Sequence, residues 1–300
     1  MVLARIAVPM FFVIGSYFFF QKIQKSNNRT ETIMFYIFRL LKLYIGWFII
    51  LLPITLKIRN YFVNGIVDGL KRIFFGFIFG STFVASWYIM ATILGTLLVY
   101  MLTKYFGNTM TLITGIIFYL ISCVATNYYN VLSVVCLDDL LKYYPGNFYN
   151  SFPVAVIWIV IGKLFAENKI QIKRKFNLFY LGVSIILLEV EGIVVRGISY
   201  TDDCYIMLIP VSIFLFSILI SCTKEILIVR QLRCFGTITF CSHASLKRII
   251  NVPLKRAFDT NVFPGACILF MLTIAACIVL TFVIRKLEKR KYFKWIKVLS

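Results

Sequence analysis

The chain has 300 residues, of which 61% are hydrophobic and only 15% charged, a composition far outside that of soluble domains. Thirty-two Lys and Arg stand against 12 Asp and Glu, a formal charge of +20. In so apolar a chain those charges fall in the connections between hydrophobic segments. This excludes a soluble enzyme, and membrane topology explains the basic excess better than nucleic acid does. The expected fold class is all-α: a polytopic integral membrane protein in one domain over residues 1–300. Eight cysteines, at positions 123, 136, 204, 222, 234, 241, 267 and 277, show no C-x-x-C spacing and read as small hydrophobes, not as a metal site or disulfide framework. A lone histidine and the absence of phosphate-loop, zinc and serine-elbow motifs leave a small catalytic vocabulary, with no metal and no bound cofactor expected.

A bilayer-spanning helix needs about 20 apolar residues. Taken in chain order, nine stretches meet or approach that length: 4–20, 34–56, 82–102, 110–127, 152–164, 178–195, 205–221, 235–250 and 262–284. The fifth and eighth are short or interrupted. Between the second and third, Lys57, Asn60, Asn64, Asp68, Lys71 and Arg72 recur at three- and four-residue steps, the pattern of an amphipathic helix in the membrane interface; a solvated loop with snorkelling lysines is the alternative.

Lys and Arg accumulate in cytoplasmic loops. The segment 285–300, RKLEKRKYFKWIKVLS, carries seven basic residues and one acid, so the C-terminus is expected in the cytoplasm as a basic tail. Alternation then puts Lys22, Lys25 and Arg29, Lys173, Arg174 and Lys175, and Lys224, Arg230 and Arg233 inside. Two aspartate-bearing loops, LDDLLKYYPGNFYN and RGISYTDDC, fall outside. Lys247, Arg248, Lys255, Arg256, Arg59, Lys71 and Arg72 run against this scheme by falling outside. An odd number of spans places Met1 outside with no cleavable signal, as if one span were missing upstream.

The first apolar stretch reads Arg5-Ile-Ala-Val8-Pro9-Met-Phe11-Phe12-Val-Ile-Gly15-Ser16-Tyr17, followed by Lys22 and Lys25. This resembles the second transmembrane helix of the acyltransferase 3 family, bacterial membrane O-acyltransferases acting on surface carbohydrates, where an arginine precedes Val-Pro-x-Phe-Phe and then Ser-Gly-Tyr. Downstream, Phe38-Arg39-Leu-Leu-Lys42-Leu-Tyr44 with Trp47, Ser86-Trp87-Tyr88-Ile-Met-Ala91, Ser151-Phe152-Pro153 with Gly162-Lys163, and Leu232-Arg233-Cys-Phe235-Gly236-Thr-Ile-Thr239 resemble further family elements in order. The resemblance implies transfer of an acyl group, acetyl foremost, from cytoplasmic acyl-CoA as co-substrate to a hydroxyl of a cell-surface polysaccharide or lipid-linked sugar. The implied location is the cell membrane, with the lipid bilayer, the carbohydrate acceptor and acyl-CoA as partners and no nucleic acid.

Departures from the family are specific. Its members have ten spans and an Arg-x10-His motif in the first; this chain has nine and begins where the second should. Nine residues, not ten, separate Arg233 from His243. Leu246 stands where many members carry a histidine in the penultimate helix, and Gly15-Ser16 inverts the usual order. The chain as written is therefore expected to keep the scaffold but lack the helix that supplies the base, with activity in doubt. The competing class is a non-enzymatic transporter or flippase of lipid-linked saccharides, which would show internal repeats and paired broken helices; neither is evident. A structural membrane subunit is a third class.

Acyl transfer needs a base for the hydroxyl and a group to hold the oxyanion. His243 is the one histidine and hence the candidate base, against a polar residue bonding a neighbouring helix. Through the resemblance Arg5 faces the cavity, where a guanidinium holds a carbonyl or phosphate; the plain alternative is an interface anchor. Trp87, Tyr88, Asp138 and Asp139 are the remaining candidates for binding the acceptor, though tyrosines near the aspartates also suit an aromatic belt. Lys22, Lys25, Arg39 and Lys42 would face acyl-CoA, and the positive-inside rule alone would also place them. Glu189 and Arg196, seven residues apart, share a helical face and are expected to pair. Asn28-Arg-Thr30 fits a glycosylation acceptor but lies in a loop expected to be cytoplasmic.

Overall fold

A computed structural model describes all residues except 1, 84–85, 133–143, 145–146, 197–202, 223–228, 257, 261, 291–298 and 300. Among the described residues there is no strand. Among the described residues ten α-helices follow one another: α1 (Ala7–Gln24), α2 (Arg29–Arg59), α3 (Ile66–Phe79), α4 (Trp87–Val124), α5 (Tyr129–Leu132), α6 (Phe152–Ala166), α7 (Arg174–Val195), α8 (Leu208–Ser221), α9 (Val229–Leu254) and α10 (Gly265–Glu288). Short 3-10 turns occupy Val2–Ile6 and Phe148–Asn150. Among the described residues five stretches are long and apolar enough to cross a membrane: Val2–Gln24, Arg29–Lys57, Trp87–Val124, Phe176–Val195 and Gly265–Glu288. Phe152–Ala166 and Leu208–Ser221 are apolar but shorter. The stretch 235–250 lies within α9, which is in neither group because charged and hydroxyl residues interrupt it throughout.

Two expected spans, 82–102 and 110–127, are the two legs of α4. Gly107 breaks that helix with φ 79° and ψ 178°, a conformation open to glycine and costly for other residues. The Thr103 and Thr111 hydroxyls lie 3.4 Å apart, whereas eight residues of straight helix would separate them by about 12 Å. The chain therefore doubles back, and α4 is a helical hairpin.

The start of α2 is set by Asn28, whose side-chain oxygen accepts from the Glu31 N–H at 3.2 Å while its amide donates to the Glu31 carboxylate at 3.3 Å. This reciprocal cap gives Asn28 a local role. Asn28→Ala is expected to lower stability by about 1 kcal/mol, read as a fall in the thermal unfolding midpoint. The amphipathic run expected over 57–72 is not one helix. Asn60 (φ 46°) and Gly65 (φ 102°) turn the chain between α2 and α3, leaving Lys57 on α2 and placing Asp68, Lys71 and Arg72 on α3, where Asp68 and Arg72 pair at 2.7 Å.

The chain divides into two compact units. The first comprises Met1–Ile37, Ile78–Gly80 and Tyr88–Lys224, and its centre is α6. Thirteen of the fifteen α6 residues are buried, the signature of a helix apolar on every side. The hairpin legs press on it through glycines: a Cβ on Gly95 would meet Ile159 at 2.7 Å, and one on Gly115 would meet the Ile157 backbone at 3.0 Å. α1 crosses at Gly162, where a Cβ would stand 2.0 Å from the Ser16 hydroxyl. On the side of α8, Phe165 meets Phe216 edge-on at 5.1 Å.

The second unit comprises Phe38–Phe77, Ser81–Trp87 and Glu225–Ser300. Tyr44 is fully buried, and its hydroxyl lies 2.7 Å from that of Thr82. Tyr61 donates to the Thr82 carbonyl at 2.6 Å; burial pushes the Tyr61 phenol above its ordinary range. The Trp47 indole donates to the Leu299 carbonyl at 3.3 Å. α9 and α10 pack through matching stripes, Ile238, Cys241, Ser242 and Ser245 on one and Leu269, Thr273, Cys277 and Thr281 on the other, with Ser242 Oγ 4.0 Å from Cys277 Sγ.

Candidate functional site

Two polar clusters stand at opposite ends of the first unit. The first gathers the end of α1, the Gly107 turn and the end of α6 around a cavity of about 520 Å³, lined by Gln24, Thr103, Gly107, Asn108, Glu167 and Lys169 among others. Lys163, 5% exposed, sends its ammonium from the last turn of α6 to the Glu167 carboxylate and, at 2.7 Å, to Asn108 Oδ1. The second Glu167 oxygen accepts from Asn108 Nδ2 at 2.7 Å and from Lys169 Nζ at 2.9 Å. Burial disfavours the Glu167 carboxylate, but the hydrogen bonds from Lys163, Lys169 and Asn108 outweigh it and hold the carboxyl below its ordinary range.

Each helix C-terminus carries a partial negative charge, and three of them meet here, so the lysines also complement the helix dipoles. Lys163 and Lys169 against Glu167 leave one net positive charge in the cluster. Lys22, Lys25 and Lys104, exposed chain neighbours of the lining residues Gln24 and Thr103, extend that sign around the rim.

The second cluster joins the start of α1, the ends of α4 and α7, and the approach to α8. Arg5 lies in the 3-10 turn before α1, and its guanidinium meets the Asp203 carboxylate at 2.7 Å with 44% of the side chain exposed. Asn127, fully buried, accepts on Oδ1 from the N–H groups of Asp203 and Cys204 at 3.0 and 3.2 Å. Glu191 accepts from the N–H groups of Ile206 and Met207 at 2.6 and 2.8 Å and from the Tyr128 hydroxyl. It thereby satisfies donors left open at the N-terminal end of α8. Burial first, and the Glu191 carboxylate second, push the Tyr128 phenol up; burial pushes the Cys204 thiol up to about 12. Asn127 and Glu191 together fix the 203–207 strand of chain that carries the partner of Arg5.

The two clusters sort the loops of this unit as alternation does. The connections near 24, 107 and 167 share one end, and Arg5, Asn127, Glu191 and Asp203 share the other.

Of the candidates read from sequence, Arg5 and Tyr88 both belong to this unit. Tyr88 lies against α1, its ring 4.4 Å from Phe12 and 6.3 Å from Phe11. Lys22 and Lys25 are exposed at the end of α1, with the Lys22 ammonium 5.2 Å from the Phe35 ring. Trp87, Arg39, Lys42 and His243 belong to the second unit, with Arg39 and Lys42 exposed on α2 and Trp87 half-buried. His243 is half-buried on α9 with Nδ1 2.9 Å from the Thr239 carbonyl oxygen and 3.0 Å from that of Phe240. A neutral imidazole donating from Nδ1 presents Nε2 as its basic atom. Asp138 and Asp139 lie outside the described residues.

Glu189 and Arg196 do not pair among the described residues; the working carboxylate of α7 is Glu191, whose partners come from the chain before α8. Asn108, Glu167, Lys169, Asn127 and Asp203 carried no expectation from sequence. The four-residue step from Lys163 to Glu167 is a signal that sequence does contain. Among the described residues no group of three or more His, Cys, Asp or Glu is placed to hold a metal ion.

No known family profile matches the chain, and no solved structure does. It is similar to an amino-acid racemase of Enterococcus faecalis, 25% identical over 231 residues, which is 72% of this chain and 32% of that protein. The chain thus spans about a third of the length of that relative.

Proposed function

We propose that the chain is a polytopic membrane acyltransferase of the acyltransferase 3 kind, with nine spans and a cytoplasmic C-terminus, moving an acetyl or similar acyl group from cytoplasmic acyl-CoA to a hydroxyl of an envelope saccharide. The observation that supports this reading is that parts of three stretches resembling that family, far apart in sequence, pack on one another in the first unit. Ser16 of the Val-Pro-x-Phe-Phe helix sits against Gly162 of the Phe-Pro helix, and the Tyr88 ring of the Trp-Tyr element lies tilted against Phe12.

In such a reaction the acceptor oxygen attacks the thioester carbonyl, the C–S bond breaks, and the coenzyme leaves as a thiol that takes up a proton. Arg5, its side chain 44% exposed beside Asp203, suits the developing oxyanion or an acceptor phosphate. The positively rimmed cavity at the other end suits the phosphate-bearing donor, and its volume falls within the usual range for ligand sites.

The Enterococcus faecalis relative takes its name from the whole of a protein about three times as long as the aligned stretch. Racemisation removes a proton from one face of a carbon and returns one to the other. The chain spans about a third of that protein, and no racemase activity is proposed for it.

The test is transfer of labelled acetyl from acetyl-CoA to an envelope saccharide fraction by the purified protein in vesicles. Wild type is expected to label the fraction, with a loss of about tenfold or more in Arg5→Ala, and His243→Ala tests whether the one histidine is the base. No transfer by a folded wild type would overturn the reading; transfer that survives His243→Ala would move the base elsewhere.

A further inference from the structure

Helix α3 has 14 residues, about 21 Å of rise, too short for a hydrocarbon core of about 30 Å. Its surface divides into three stripes. One faces its own unit: the Phe62 ring lies 2.3 Å from a Cβ built on Gly69, the Ser81 carbonyl oxygen 3.4 Å from one on Gly76, and Phe77 meets Tyr44 at 4.5 Å. The next is apolar and open: Ile66, Leu70 and Phe74 follow at four-residue steps with Val67 beside them, exposed by 72, 58, 58 and 68%. The third is charged, with Asp68, Lys71 and Arg72 and an ion pair between Asp68 and Arg72.

We infer that α3 is a surface-docking helix whose occupant is the headgroup and upper acyl region of an anionic bilayer, with the stripe Ile66, Val67, Leu70, Phe74 dipped into lipid and Lys71 and Arg72 at the phosphates. The inference rests on the membrane reading of the chain and adds to it a short element lying along the membrane surface. Three observations favour lipid over a protein partner. The apolar and charged stripes are adjacent over the first two turns of the helix, as an interface between oil and water requires. Charge complementarity points the same way: over residues 57–79 Lys57, Arg59, Lys71 and Arg72 stand against Asp68 alone, and each cation near an anionic surface adds attraction. The same unit also exposes apolar side chains on α2, with Ile45 and Ile49 46 and 61% exposed on a stretch long enough to cross a membrane.

The experiment places an environment-sensitive fluorescent amino acid by codon suppression at Phe74, Lys71 or Val279 of the full chain, reconstituted in phosphatidylcholine vesicles containing one-third phosphatidylglycerol. Quenching is read with aqueous iodide and with lipids spin-labelled near the headgroup or deep in the chain. Val279, 60% exposed in the middle of α10, reports a lipid-buried position. The label at 74 is expected to be quenched about twofold more by the shallow than by the deep spin label, with the reverse at 279 and iodide quenching at 71. If the label at 74 prevents folding, position 67 replaces it with the same expectation.

Iodide quenching at 74 equal to that at 71 would overturn the inference, as would deep quenching at 74 matching that at 279 with position 71 shielded. Absence of lipid quenching at 279 as well would overturn the membrane reading together with it, which distinguishes the two failures.

Discussion

Replacing Gly162 by alanine is expected to destabilise the purified protein by about 2–3 kcal/mol, because the new methyl has no free volume. A Cβ there would stand 2.0 Å from Ser16 Oγ, 2.4 Å from the Val13 carbonyl oxygen and 3.1 Å from the Tyr17 nitrogen. Two of the three obstacles are backbone, so no rotamer change relieves them, and α1 must move off α6. Overpacking in tight contacts costs about 1–3 kcal/mol, and here it acts on the helix at the centre of the unit. The control is Gly236→Ala in α9, where a Cβ meets nothing within 4 Å and better helix propensity makes the change neutral or favourable by up to about 1 kcal/mol. Thermal unfolding of both variants in detergent checks the pair; equal midpoints would show that the α1–α6 crossing is not tight.

Lys163→Met is expected to cost about 3 kcal/mol, since it leaves the Glu167 carboxylate half-buried with only Asn108 and Lys169. Changing both partners, Lys163→Met with Glu167→Leu, is expected to recover part of that loss, because the half-buried carboxylate is removed together with its buried partner. The same cluster sets a pH dependence. The folded Glu167 carboxyl titrates below its ordinary range, so its stabilisation is complete above the unfolded value of about 4.3 and fades as pH falls through the folded value. Wild type should therefore lose its advantage over Glu167→Gln on acidification below about pH 4.3. A stability gap between the two that is constant from neutral pH into that range would rule this out.

The positions of the helices were legible because runs of apolar residues near span length are rare by chance, and Gly107-Asn108 falls in the gap left between two of them. The break within 57–72 was less legible, since Asn60 and Gly65 interrupt a charge pattern that by itself continues across them. Side-chain partnership was legible only where it is local. Lys163 and Glu167 are four apart and on one helix; Asn108, which bridges them, comes from 55 residues upstream of Lys163. Arg5 and Asp203 are separated by 198 residues, and no periodicity reports that distance. For the two acids of α7 the helical face suggested Glu189, but a face only says which way a side chain points. What decides is the pair of open N–H groups at Ile206 and Met207, which reach Glu191.

The hairpin reversal at Gly107 also sets a rule for how this sequence can vary. Because one residue turns the chain, Asn108 begins its leg at a phase fixed by the leg before it. Inserting or deleting one residue at the turn would rotate Asn108 by about 100°, away from both Lys163 and Glu167, and would carry Gly115 off the Ile157 backbone it touches. Relatives that keep the buried lysine and carboxylate should therefore show length differences in other connections and a constant count between Gly95 and Gly115.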